Sequence, residues 1–288
     1  MAFTKPSVAL GLGRQGAGSH RHTDTNEFLS AGVLIAYRAR PGEDYPTQEM
    51  KDKIQDAAVQ ARNIVRIAND MIAKVVLLRR PESQLFQDTM ATHMGLIAGD
   101  PAGGLLVDNI VDKPFSPKAV FVHDRRWILE KIRQKILSLS FHLNTGVYLI
   151  DQDNANRDVW SGVKNPATVG LHNDWVGFVH PRGAQSGLGG LACGFRNGEI
   201  HINFEHFPIF SLNTNATIII HEACHKYVNA LGDIYGNNPN YPPPLQHKGG
   251  TLENADSLAW TAVSLATGAV RMAAHDSDDW GNCPGPAL

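Results

Sequence analysis

Cysteine is scarce in this 288-residue chain: Cys193, Cys224 and Cys283 stand far apart and form no CxxC pair. That excludes a disulfide framework, and reduced thiols are the expectation. An excess of either charge is missing too, since 26 Lys and Arg face 28 Asp and Glu for a net charge of -2. Such a balance leaves no electrostatic footprint for nucleic acid or an anionic membrane surface, so neither is an expected partner. No apolar run approaches the roughly 18 residues that span a bilayer, and Met1 to His22 lacks the apolar core of a secretory signal. Cytoplasmic residence or export by a signal-independent route is the expectation, the latter compatible with a secreted effector or toxin. There is no internal repeat.

What is present is enough apolar material, 43% of residues, for a substantial core. Residues 1 to 45 are rich in Gly, His, Arg and Pro, with one short apolar stretch at Val33 to Ala36, and read as an irregular extension. From Thr47 the pattern changes. Ile54, Ala58, Ala61, Val65, Ala68, Ile72 and Val75 recur at spacings of four and three, the stripe of one buried helix that should stop before Pro81. A shorter helix is expected over Glu82 to Met94, and a third after Asp124 as cap, with Ile128, Ile132, Ile136 and Leu139 inward. Gly146 to Ile150 and Glu199 to Phe204 read as strands, with a shorter candidate at Trp175 to Val179. The expected class is α+β: a helical N-terminal part, a small sheet and a C-terminal helical region, with a main domain over 46 to 270 and a tail over 271 to 288.

Chemistry concentrates in Thr217 to Leu231, which reads as a helix containing His221, Glu222, Ala223, Cys224 and His225, an HExxH pattern. Residues four apart share a helix face, so the two imidazoles converge on one point, as tetrahedral zinc requires, with Glu222 beside it. A zinc held by three protein ligands keeps a position for water, and the adjacent carboxylate can take its proton for attack on a peptide carbonyl. An apolar helix that spends two His and a Glu on core-adjacent positions is costly without a metal. A zinc-stabilised binding module that cleaves nothing is the rival reading, and Glu222 argues against it, because a structural site needs ligands and no base.

The third ligand separates the zincin classes. In HExxHxxGxxH the Gly and third His would fall where Val228 and Leu231 stand, which excludes that class. Asp233 follows eight residues after His225, with Gly232 available to turn the chain out of the helix. Glu253 lies 28 residues after His225, on what reads as a second helix starting near Thr251, as in His2Glu gluzincin sites. Both oxygens suit zinc.

Taken together, HEACHKYVNALGDIYG and LENADSLAW resemble the deuterolysin-like aspzincin zinc metallopeptidases, a family that includes lysine-specific metallo-endopeptidase-like domains. The resemblance covers His221 to Trp260. It implies a zincin-like fold, Zn2+ as cofactor, a protein or peptide substrate, His221, His225 and Asp233 as zinc ligands and Glu222 as base. It also implies that Tyr235 donates to the oxyanion and that Asp256 lines the substrate side or supports the ligands. Leu231-Gly232 stands where the family has Gly-Thr, and Ala259 stands where the lysine-specific branch has a Glu, which argues against lysine specificity.

Weaker signals have ordinary explanations. Gly11, Gly13 and Gly16 spell GxGxxG, yet no amphipathic helix follows them, so a dinucleotide site is not expected. Cys224 reads as small apolar filler, and His201 and His206 as strand-end histidines. Asn215-Ala216-Thr217 is a glycosylation sequon placed where a helix cap is needed. Tyr241 and the prolines after it read as a stiff loop.

Overall fold

The computed structural model describes residues 25–37, 39–98, 106–110, 119–123, 125–151, 177–178, 199–230, 232, 234–245 and 250–272. In chain order the elements are β1 (Thr25–Phe28), β2 (Val33–Tyr37), α1 (Gln48–Val76), α2 (Gln84–Met94), β3 (Leu106–Ile110), β4 (Ala119–His123), α3 (Arg125–Thr145), β5 (Val147–Asp151), β6 (Gly177–Phe178), β7 (Glu199–Ile202), α4 (Leu212–Val228) and α5 (Ala255–Thr267). The class is mixed α and β. The chain divides into two compact units, Met1–Arg62 with Phe141–Asn229, and Asn63–Ser140 with Ala230–Leu288.

The first unit is built on a sheet of order β1-β2-β5-β7-β6. Strands β2, β5 and β7 run parallel, in register Val33 with Val147 and Tyr148 with Glu199, and the edge strands β1 and β6 are antiparallel to their neighbours. Residues 25 to 37 therefore supply two strands where an irregular extension was expected. The reason is physical: β2 lies inside the sheet with Val33, Leu34, Ile35 and Ala36 all at or below 1% exposure. A strand covered on both faces reads as a short apolar run without alternation. Tyr148 is fully buried and its hydroxyl donates to Asn26 Oδ1 at 3.2 Å, joining β5 to β1.

Ala57, Ala58 and Ala61 keep the buried face of α1 slim in this unit. Beside them Gln60 donates to Asn213 Oδ1 at 3.0 Å, and Arg62 donates to the carbonyls of Leu143 and Gly32 at 2.8 and 3.0 Å. At the end of β5 the buried Asp151 accepts from the Tyr45 hydroxyl and from Phe204 N. Burial, reinforced by that carboxylate, pushes the Tyr45 phenol well above its ordinary value.

In the second unit, Ser83 caps α2 by accepting from Phe86 N at 3.3 Å, and Gly95 ends it at φ 66°, the left-handed conformation that suits glycine. The hairpin β3–β4 has antiparallel register and was not expected, although Val120-Phe121-Val122 is a strand-like run. Arg125 clamps Glu82 with two nitrogens at 2.9 and 2.6 Å and donates to Leu96 O at 2.9 Å, fixing the start of α3 to both ends of α2. Asp124, the expected cap, lies outside the described residues. Helix α5 is buried along its length, Ser257, Thr261 and Ser264 included, which explains why no stripe marks it in sequence.

His93 of α2 is wholly buried, with Nδ1 2.8 Å from the Tyr241 hydroxyl and Nε2 3.0 Å from Ser264 Oγ. Burial, partly offset by Asp256 and the Arg271 carbonyl, lowers its pKa from 6.5 to about 4. The unfolded chain therefore binds more protons than the folded one between these values. Stability from this group is complete above pH 6.5 and falls as the pH drops, by about 3 kcal/mol at pH 4. Urea unfolding at neutral and acid pH checks this. His93→Gln should lose less stability on acidification than wild type, and equal losses would contradict the assignment.

Candidate metal centre

Helix α4 carries the HExxH residues. Its cap is Ser211, whose Oγ accepts from Thr214 N at 3.2 Å, so the helix begins five residues before the expected start at Thr217. Asn213, Asn215 and Thr217 look like loop residues in sequence but are buried here. Asn215 Nδ2 donates to Phe207 O at 2.9 Å, and Thr217 Oγ1 donates back to Asn213 O at 2.8 Å. The sequon is thus interior to the helix, and its asparagine is 1% exposed. At the other end Asn229 adopts φ 54° and donates its N–H to Cys224 O. The helix exit belongs to Asn229, three residues before the Gly232 expected to make it.

Within α4, His221 and Glu222 are 9% and 7% exposed, and His225 is half-buried. The Nε2 atoms of His221 and His225 lie 3.1 Å apart, and the rings meet edge to face with centroids 4.8 Å apart. Two nitrogens bound to one tetrahedral zinc at about 2.05 Å would be about 3.3 Å apart. The pair therefore fits one shared cation with a shift of a few tenths of an ångström; without a cation, one ring can donate to the other. Cys224 is fully buried beside them, in keeping with its reading as filler. Tyr227, one turn on, stacks on His142 at 4.5 Å with the rings 6° from parallel.

Helix α4 lies against β7 and β6, so the histidine pair rides on a helix packed at the β6 end of the sheet. His201 falls within β7 and His206 in the turn after it, but their side chains lie outside the described residues.

In the second unit, Asp233 itself lies outside the described residues. Glu253 occupies a short 3-10 turn, Thr251–Glu253, ahead of α5 and not on the helix, and its carbonyl accepts from Gly232 N at 2.8 Å. Tyr235 is 52% exposed. Asp256 is 7% exposed, and its Oδ2 accepts from Gly236 N at 2.8 Å. Tyr241 is anchored on His93, and its phenol is raised by burial first and by Asp256 second.

No family model, curated protein or solved structure matches this chain. Among the described residues no group of three or more His, Cys, Asp and Glu is gathered for a metal; His221 and His225 form a pair. The GxGxxG glycines lie outside the described residues. No described helix is long and apolar enough to cross a membrane. Asn254, which sequence reading passed over, makes three side-chain hydrogen bonds in the second unit.

Proposed function

We propose that the chain is a zinc-dependent endopeptidase with a zincin-like fold of the aspzincin type. The observation that carries this reading is the convergence of His221 and His225 Nε2 at 3.1 Å on a buried helix that also holds Glu222. Two imidazoles and a carboxylate so placed give up much of their hydration, a cost that a shared cation offsets. The motif resemblance supplies Asp233 as third ligand.

His221 and His225 would hold the ion through Nε2. When bound, it supplies Lewis-acid polarisation of the scissile carbonyl and lowers the pKa of water. Glu222 accepts the proton of the attacking water and returns it to the leaving amine. Tyr235, more than half exposed, is proposed to donate its hydroxyl to the developing oxyanion. Of the two roles the resemblance implies for Asp256, its bond to Gly236 N favours support over contact with substrate. The substrate is proposed to bind as an extended strand along β6, the end strand of its sheet among the described residues, against which α4 lies.

A peptide-mixture digest checks this reading. Cleavage should stop with a chelator and return with added zinc; cleavage indifferent to the chelator, or zinc uptake with no cleavage, would contradict it.

A further inference from the structure

In the second unit the buried His93 stands in the middle of a run of hydrogen bonds whose direction follows from the donors at its two ends. Arg271 N donates to Ser264 Oγ at 2.9 Å, and the Ser264 hydroxyl donates to Arg271 O at 3.3 Å. What Ser264 has left for His93 is a lone pair, so the imidazole Nε2, 3.0 Å away, carries a proton and donates it. A neutral ring protonated on Nε2 leaves Nδ1 bare, and Nδ1 accepts from the Tyr241 hydroxyl at 2.8 Å. Tyr241 is in turn hydrogen-bonded by Ser257, which accepts from Asn254 Nδ2 at 3.0 Å. The orientation of the Asn254 amide is fixed, because its Oδ1 accepts from Ile234 N at 2.8 Å and its Nδ2 donates to Ile234 O at 3.0 Å. The protons therefore point one way, from Asn254 through Ser257, Tyr241, His93 and Ser264 to the Arg271 carbonyl.

This run ties four pieces together: His93 comes from α2, Ser257 and Ser264 from α5, Tyr241 from the segment before the 3-10 turn, and Arg271 from the chain after α5. His93, Ser257 and Ser264 are all 0% exposed, so water does not take over a broken bond. A second proton, on Nδ1, would meet the Tyr241 proton head on. The hydroxyl would have to turn toward Ser257, whose own proton then loses its acceptor in the run, and the imidazolium would stand unhydrated. Charged groups on the surrounding elements are few. Asp256 on α5 draws a proton toward the ring, Arg271 offers its carbonyl, Glu253 lies in the 3-10 turn, and Glu82 is held by Arg125. Burial outweighs Asp256, so the ring titrates at about 4 instead of 6.5.

We infer that His93 is an acid-operated latch: neutral, it ties Tyr241 and the chain after α5 to α2, and protonated, it lets both segments go. Every group in the latch belongs to the second unit, so the inference is independent of the metal centre. Linkage sets its size. With the ring titrating near 6.5 when the latch is open and near 4 when it is closed, the opening equilibrium rises about 10²-fold from pH 7 to pH 4.

The test is hydrogen exchange at two amides, Tyr241 N, which donates to Asn238 O, and Arg271 N, corrected for the pH dependence of amide chemistry. In wild type both should lose about 10²-fold in protection between pH 7 and pH 4 while the amides of α1 stay slower. His93→Gln can accept from Tyr241 and donate to Ser264 without gaining charge, and should keep its protection over that range. Tyr241→Phe removes the bond that favours a bare Nδ1, so the His93 titration, followed by its imidazole resonances, should move up by about one pH unit. Unchanged wild-type protection at pH 4, exchange at the same rate as α1, or an equal loss in His93→Gln would overturn the inference. So would an Nδ1 that carries the proton at pH 7, read from the imidazole 15N shifts. If His93→Gln fails to fold, a His93 titration unmoved in Tyr241→Phe overturns it.

Discussion

Glu222→Gln is expected to bind zinc as tightly as wild type and to hydrolyse peptides at least about 10²-fold more slowly. The two side chains are nearly equal in volume, so the buried position on α4 is refilled without a cavity. The amide cannot take a proton from water at neutral pH, and the general base is lost while the imidazoles are untouched. Replacing a buried carboxylate by a neutral amide also lowers the desolvation cost, so the metal-free variant should unfold at or above the wild-type temperature. Steady-state kcat on a fluorogenic peptide, read beside zinc affinity, separates the outcomes. A kcat within a few-fold of wild type would remove Glu222 from the chemistry. Equal losses of zinc and activity would make it a structural support for the site.

His225→Ala should lose the metal itself. It removes one of two nitrogens that meet at 3.1 Å, and the loss should exceed the roughly 10²-fold that follows removal of a merely supporting partner. His225 is half-buried near the end of α4, and Ala is the stronger helix former, so the fold should survive. Because a ligand that binds only the folded chain raises its stability by mass action, added zinc should lift the wild-type melting temperature and leave that of His225→Ala unmoved. A zinc-dependent rise of equal size in both proteins would place the ion elsewhere.

The parts of this molecule that follow simple periodicity are legible in its sequence. The stripe from Ile54 to Val75 gives α1, which ends at Val76 and well short of Pro81, and HExxH gives the convergence of His221 and His225 before any coordinates. What hides is structure with local patterns suppressed by burial or by side-chain bonding. Strand β2 is covered on both faces and lost its alternation. The start of α4 carries Asn213, Asn215 and Thr217, residues that favour turns until burial and partners in the fold satisfy them. Asn254 and Asp256 hold a neighbouring segment through backbone groups, and sequence spacing says nothing about which N–H a side chain will reach. Gly232 was expected to turn the chain out of the helix, whereas its backbone is not left-handed and a Cβ there would stand 3.3 Å from Asn254 Oδ1, a tight contact. Asp233, proposed as third ligand on its motif alone, lies outside the described residues.

The most direct test of the central claim is elemental analysis of zinc on wild type and His225→Ala, both purified without chelators. The account predicts about one zinc per wild-type chain and close to none in the variant. Wild type without zinc, or a variant that retains as much as wild type, would contradict it.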